Sequence, residues 1–147
     1  MDSTLARSIA RLDVTFATRQ EYREFWLRHP AFGFAWPPGL EAFLMHDLVG
    51  AGPYRSSCVA EAIRVDGADM FAGPAATAAV HRLPVPGVLL WAERGLLDQS
   101  PGAYTEENTA GLPFPAIRVP GTNHYSILAA PAGADAVAEQ IMRLSGG

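Results

Sequence analysis

The run Val88-Leu89-Leu90-Trp91 constrains the fold of this 147-residue chain more than any other stretch. It is apolar without a break and of strand length, introduced by Pro84-Val85-Pro86-Gly87 and followed by Glu93-Arg94-Gly95. A strand that does not alternate suits a parallel sheet covered on both faces. A second strand is expected over Ala116 to Val119, behind Pro113 and Pro115, with a helix between about Pro101 and Ala110. After a Pro120-Gly121 turn comes Thr122-Asn123-His124-Tyr125-Ser126. Ala134, Val137, Ala138, Ile141, Met142 and Leu144 then mark a terminal amphipathic helix that stops at Gly146-Gly147. Strand, helix, strand, helix is the order of a parallel α/β unit with a right-handed crossover. His124 falls on the loop beyond the second strand's carboxyl end, where α/β enzymes keep a general base.

The first 82 residues read differently, as short helices rich in aromatic side chains with no strand. Leu5, Ile9, Leu12 and Phe16 recur at helical spacing, although Asp13-Val14-Thr15 weakens the end of that element. Thr18 followed by Glu21 is a capping-box pattern, and Tyr22, Phe25 and Trp26 share a face of the helix it opens. Phe32, Phe34 and Trp36 lead to Pro37-Pro38. Leu40, Phe43, Leu44 and Leu48 define a helix ended by Gly50 and Gly52-Pro53. Ser56 or Ser57 is expected to cap the next helix, with Val59, Ala62, Ile63 and Val65 as its apolar positions. Residues 68–82 suggest a broken helical hairpin.

Composition excludes several classes. Hydrophobic residues make up 49% and charged residues 18%, the balance of a globular chain. The net charge of -4, spread without runs of either sign, offers no footprint for nucleic acid or an anionic membrane surface. A single cysteine, Cys58, excludes an internal disulfide and a metal held by a cysteine cluster, and fits a reducing compartment. No stretch has the roughly 20 apolar residues of a membrane helix. The opening residues have no signal-peptide pattern, so a soluble, cytoplasmic protein is expected. His29, His46 and His81 match no metal-ligand spacing and are expected to be structural or surface residues, and no metal or cofactor is expected.

With these residues in this order, the chain resembles the carboxyl-terminal half of an α/β-hydrolase-fold protein. Val85 to Trp91 resembles that family's next-to-last strand, and Ile117 to Val119 its last. Thr122-Asn123-His124-Tyr125-Ser126-Ile127 is similar to its histidine loop. Residues 12 to 82, including Tyr22, Trp26, His29-Pro30 and Asp47-Leu48, resemble its helical cap. The resemblance implies a partial α/β-hydrolase fold, with a helical cap-like region at 1–82 and a core portion at 83–147. It also implies His124 as the general base of a Ser-His-acid mechanism, and an apolar small-molecule substrate held under the cap by residues such as Trp26, Phe34 and Trp36.

Two departures qualify the activity implied. The nucleophile elbow Gly-x-Ser-x-Gly is absent. Ser56, Ser57 and Cys58 have no flanking glycines or preceding strand, and Ser100 is followed by Pro101. The family's acid position after the next-to-last strand is occupied by Gly95. Asp98 is the nearest substitute, Glu93 a second candidate, and in some families the acid follows an earlier strand outside this portion. The chain is therefore expected to be an incomplete hydrolase, inactive alone, that folds with a missing amino-terminal half, with a second copy, or by collapse of cap helices onto its strands. The other expectation is a non-catalytic helical module that binds a ligand or a protein partner.

Overall fold

The structure is a computed structural model that describes Ala6 and residues 9–146, apart from the side chains at 68, 70–72, 76 and 77. Leu5 and Arg7 of the expected first helix lie outside the described residues. The chain divides into two compact units. The first comprises Met1–His29 and Pro38–Ala76, the second Pro30–Pro37 and Thr77–Gly147. The aromatic connection at 30–37 thus belongs with the carboxyl-terminal unit rather than with the helices on either side of it.

The first unit contains strands that the sequence reading did not anticipate. Strand β1 (Thr15–Phe16) pairs antiparallel with β3 (Tyr54–Ser56), which pairs antiparallel with β2 (Leu48–Val49). The order across this small sheet is β1-β3-β2. Phe16 therefore ends in a strand rather than on a helix, because the extended Val14-Thr15 segment breaks the turn after a 3-10 helix at Arg11–Asp13. Ile9, Leu12 and Phe16 are still all buried. Helix α1 (Arg19–Leu27) begins at Thr18, whose hydroxyl accepts from the Glu21 amide at 3.1 Å. The Glu21 carboxylate reaches one residue further back than in a standard capping box, to the Ala17 amide at 2.7 Å.

Helix α2 (Leu40–His46) stops short of Leu48, which lies in β2 instead. The turn from β2 to β3 depends on Gly50, which has φ of 110° and whose missing Cβ would fall 2.7 Å from the Pro53 carbonyl oxygen. Ser56 and Ser57 do not cap the following helix. Helix α3 (Ala60–Ala72) has Val59 at its N-cap with no side-chain bond, and α4 (Pro74–Val80) follows after Gly73.

In the second unit, β4 (Leu89–Ala92) and β5 (Ala116–Val119) form a parallel pair, with Leu89 beside Ala116 and Ala92 beside Val119. The chain thus contains both helices and mixed sheet types. Only Trp91 of the apolar run is fully buried; Leu89 and Leu90 are half-buried, so the run is not enclosed on both faces. The intervening helix α5 (Glu106–Thr109) is shorter than expected. It starts where Thr105 and Asn108 bond reciprocally, Asn108 N–H to Thr105 Oγ1 at 3.2 Å and Thr105 N–H to Asn108 Oδ1 at 2.8 Å. Helix α6 (Ser126–Ala129) precedes α7 (Pro131–Ser145), which opens with proline in its first turn. Ile141, Met142 and Leu144, expected on a core-facing stripe, are exposed. Among the described residues, no helix is long and apolar enough to cross a membrane.

Candidate functional site

The second unit gathers its polar chemistry at the carboxyl ends of β4 and β5. The two loops there are joined through backbone as well as side chains. Arg94 donates its amide to the Thr122 carbonyl at 3.0 Å and its guanidinium to the Gly121 carbonyl at 3.0 Å. The Glu93 carboxylate returns the contact by accepting the Gly121 amide at 2.7 Å. Glu93 is thereby engaged in holding the Pro-Gly turn, and also faces Arg118 at 3.6 Å.

Asp98 sits in the left-handed region with φ of 61°, a conformation that costs a non-glycine residue about 1 kcal/mol or more. It is held there by its side chain. Oδ1 accepts from Arg94 Nε at 2.8 Å and from Asn123 Nδ2 at 2.8 Å. Partial burial pushes its pKa up, but the bonds from Arg94 and Asn123, with the charge of Arg94, outweigh that and hold it below the ordinary 3.8. Asp98 is ionised at neutral pH. Gly95 is buried, and a Cβ there would overlap the Gln99 side chain.

His124 follows Asn123 on the loop before α6. Its ring lies edge-on to Tyr125 with centroids 5.1 Å apart, and Tyr125 in turn lies against Phe32 at 4.6 Å. Phe32 also contacts Phe34 and Trp36, at 5.8 and 5.7 Å between centroids. His124 is exposed, yet its neighbours desolvate the ring enough to lower its pKa below 6.5. It is a neutral imidazole at pH 7 and can accept a proton. Among the described residues, no hydrogen bond joins His124 to Asp98; the acid's oxygen goes to Asn123 instead.

Comparison with family models, with curated proteins and with solved structures returned no match.

The other residues singled out from the sequence fall elsewhere. Phe34 and Trp36 belong to the aromatic group beside the histidine loop, whereas Trp26 is core in the first unit, packed on Tyr22 and Phe25 with Arg11 over its ring at 5.0 Å. His29 also stacks on Trp26, at 5.4 Å, and burial with the nearby Arg11 charge lowers its pKa below 6.5. His46 and His81 are exposed. No group of three or more His, Cys, Asp or Glu among the described residues could hold a metal. A cavity of about 260 Å³ is lined by Leu83, Val85, Pro86, Pro113 and Phe114. These lie before β4 and β5, at the amino ends of the strands, opposite the histidine loop. Ligands of open α/β sheets bind at the carboxyl ends, so the chemistry, not the cavity, marks the candidate site.

Ser56, Ser57 and Cys58 form a second polar group around Asp47 in the first unit. Ser56 Oγ donates to Asp47 at 2.8 and 2.9 Å, Ser57 Oγ at 2.9 Å and Tyr22 Oη at 3.1 Å, with Cys58 Sγ at 3.6 Å and Arg11 at 3.5 Å. Hydroxyls that donate to a carboxylate of lowered pKa are structural donors, because such a carboxylate is too weak a base to activate them. Sequence reasoning missed Asp47 and Asn123. Asn123 had a signal, since Asn three residues ahead of Ser126 is a helix-capping pattern. Asp47 had none, because its donors come from segments far apart along the chain.

Proposed function

We propose that this chain is the histidine-bearing part of an α/β-hydrolase, acting on an ester, amide or similar bond in a small apolar molecule, with the nucleophile supplied by polypeptide outside these residues. One arrangement supports the reading. Two parallel strands end in loops that carry a neutral histidine and an ionised aspartate, and a shared hydrogen-bond network ties the loops together. In acyl transfer a neutral imidazole takes the proton from serine and later returns it to the leaving group. His124 has the protonation state for that step. The aromatic group of Phe34, Trp36 and Tyr125 beside it suits an apolar substrate portion.

No described serine bonds to His124. Ser56 and Ser57 are committed to Asp47, and the Ser126 hydroxyl accepts the Asn123 amide at 2.7 Å. The chain alone should therefore show no labelling by a fluorophosphonate probe. Co-expression with a segment encoded upstream that contains Gly-x-Ser-x-Gly should restore labelling and ester hydrolysis, and His124→Ala should abolish the hydrolysis. Stoichiometric labelling of the isolated chain, or full turnover by the His124→Ala complex, would overturn the proposal. A second reading, a non-catalytic interaction module, draws on the exposed Phe43, Val59 and Val65 of the first unit. Failure of every upstream segment to restore labelling would favour it.

A further inference from the structure

We infer that Asn123 is the positioning residue for the imidazole of His124, and that Asp98 acts on the histidine through Asn123 rather than by touching the ring. The role of that ring as a base rests on the function proposed above; its placement by Asn123 does not.

The Asn123 side chain offers two N–H donors and one carbonyl oxygen. Nδ2 uses both donors, one on Asp98 Oδ1 at 2.8 Å and one on the Ala31 carbonyl at 2.9 Å. Oδ1 accepts from the Tyr125 amide at 3.0 Å and the Ser126 amide at 2.9 Å. The Asn123 amide itself donates to Ser126 Oγ at 2.7 Å, and the Ile127 amide closes the turn on the Asn123 carbonyl at 3.0 Å. The residue is 3% exposed. One side chain thus caps the helix that follows His124 and anchors the same turn to the loop after β4 and to the 30–37 segment.

His124 lies inside this bonded turn, between Asn123 and the two amides its side chain accepts. Fixing Asn123 fixes the Cα–Cβ direction of His124. Asp98 is well suited to orient Asn123, because an ionised carboxylate accepts only and so dictates which way the amide faces. Arg94 pins the carboxylate in turn, and Arg94 and Glu93 are the other charged groups that hold this turn. The bonds from Arg94 and Asn123 both fall on Asp98 Oδ1, and among the described residues no hydrogen bond from the His124 ring reaches either carboxylate oxygen.

The test is an NMR titration of the His124 ring in the full chain, with amide exchange at Tyr125 and Ser126 and with His29 as an internal control. A carboxylate touching an imidazolium raises its pKa, so if Asp98 contacted the ring, Asp98→Asn would move the His124 pKa further down. Indirect positioning predicts the opposite sign. Asn123→Ala should release the ring to solvent and move its pKa up toward 6.5, and it should lower exchange protection at Tyr125 and Ser126 by about tenfold or more, the loss of one hydrogen bond. Asp98→Asn should move the His124 pKa the same way by less, with the His29 titration unchanged.

If Asn123→Ala does not fold, the exchange pair decides. Asn123→Asp sets two carboxylates against each other and should disrupt the turn. Asn123→Asp with Asp98→Asn restores the donor between these two positions, though not the one to the Ala31 carbonyl, and should recover protection at Tyr125 and Ser126 relative to Asn123→Asp alone. A downward shift in Asp98→Asn, or no recovery in the exchange pair, overturns the inference while leaving the hydrolase proposal standing. Failure of the upstream-complementation experiment removes the catalytic meaning of His124 but not the titration result.

Discussion

Asp47 shows how much one side chain can organise when its donors come from separate segments. Two oxygens accept from Tyr22, Ser56, Ser57 and Cys58 and face Arg11, drawing together α1, the turn after α2 and the end of β3. Burial opposes its charge, but the bonds from Ser56, Ser57 and Tyr22 and the charge of Arg11 outweigh that and hold its pKa below 3.8. Removing one donor exposes the carboxylate to a single missing bond, whereas removing the carboxylate strands several donors in a half-buried place. Tyr22→Phe should therefore cost about 1 kcal/mol, and Asp47→Ala about 3 kcal/mol. Urea unfolding of both variants and of the double variant checks this. The double-mutant coupling should be about 1 kcal/mol, as expected for groups sharing one network, and purely additive losses would show that the Tyr22 bond carries no weight.

At the scale of elements, the packing of α6 against α7 turns on Gly133. A Cβ at that position would overlap the Ile127 backbone, which cannot move aside as a flexible side chain could. Alanine favours helix over glycine by about 1 kcal/mol, so on propensity alone Gly133→Ala should stabilise α7. The collision outweighs propensity, and the variant should lose about 1–3 kcal/mol by urea unfolding. A gain would mean that α7 packs differently on α6. The parallel pair β4 and β5 was legible in the sequence because an apolar run and a proline-bounded strand are long enough to carry a pattern, as was Thr18 opening α1. The sheet of β1, β2 and β3 was not, because strands of two or three residues hold no alternation, and Leu48 keeps helical spacing with Leu44 while lying in β2. The loops carrying His124 and Asp98 could be located from strand ends, but their linkage through Asn123 could not. It depends on a left-handed Asp98 and on the Ala31 carbonyl, 92 positions away in sequence.

Across the whole molecule, the ionisable groups predict a stability profile with distinct limbs. His29 and His124 have folded pKa values lowered by burial, and for His29 also by Arg11, so between those values and 6.5 the unfolded chain binds more protons. Their stabilising contribution is complete above about pH 6.5 and is lost as pH falls through the folded values. Asp47 and Asp98, also lowered, add a second loss that begins only below about pH 3.8 and runs through their folded values. The alkaline limb has the opposite sign. Tyr22 is pushed up to about 12 from 10.0, chiefly by burial and then by the Asp47 charge and bond, against the opposing Trp26 bond and Arg11 charge. The folded chain therefore keeps a proton that the unfolded chain releases, and stability is intact below about pH 10 and falls as pH rises toward 12. Denaturant midpoints measured across pH should decline on both sides. Tyr22→Phe should flatten the limb between pH 10 and 12 and, by removing one of the bonds that lower the Asp47 pKa, shrink the limb below pH 3.8, while leaving the histidine limb in place. His124→Gln should shrink the limb below pH 6.5 while leaving the alkaline one. An alkaline limb unchanged in Tyr22→Phe would mean that the hydroxyl titrates at its ordinary value and that its bond to Asp47 does not persist in solution.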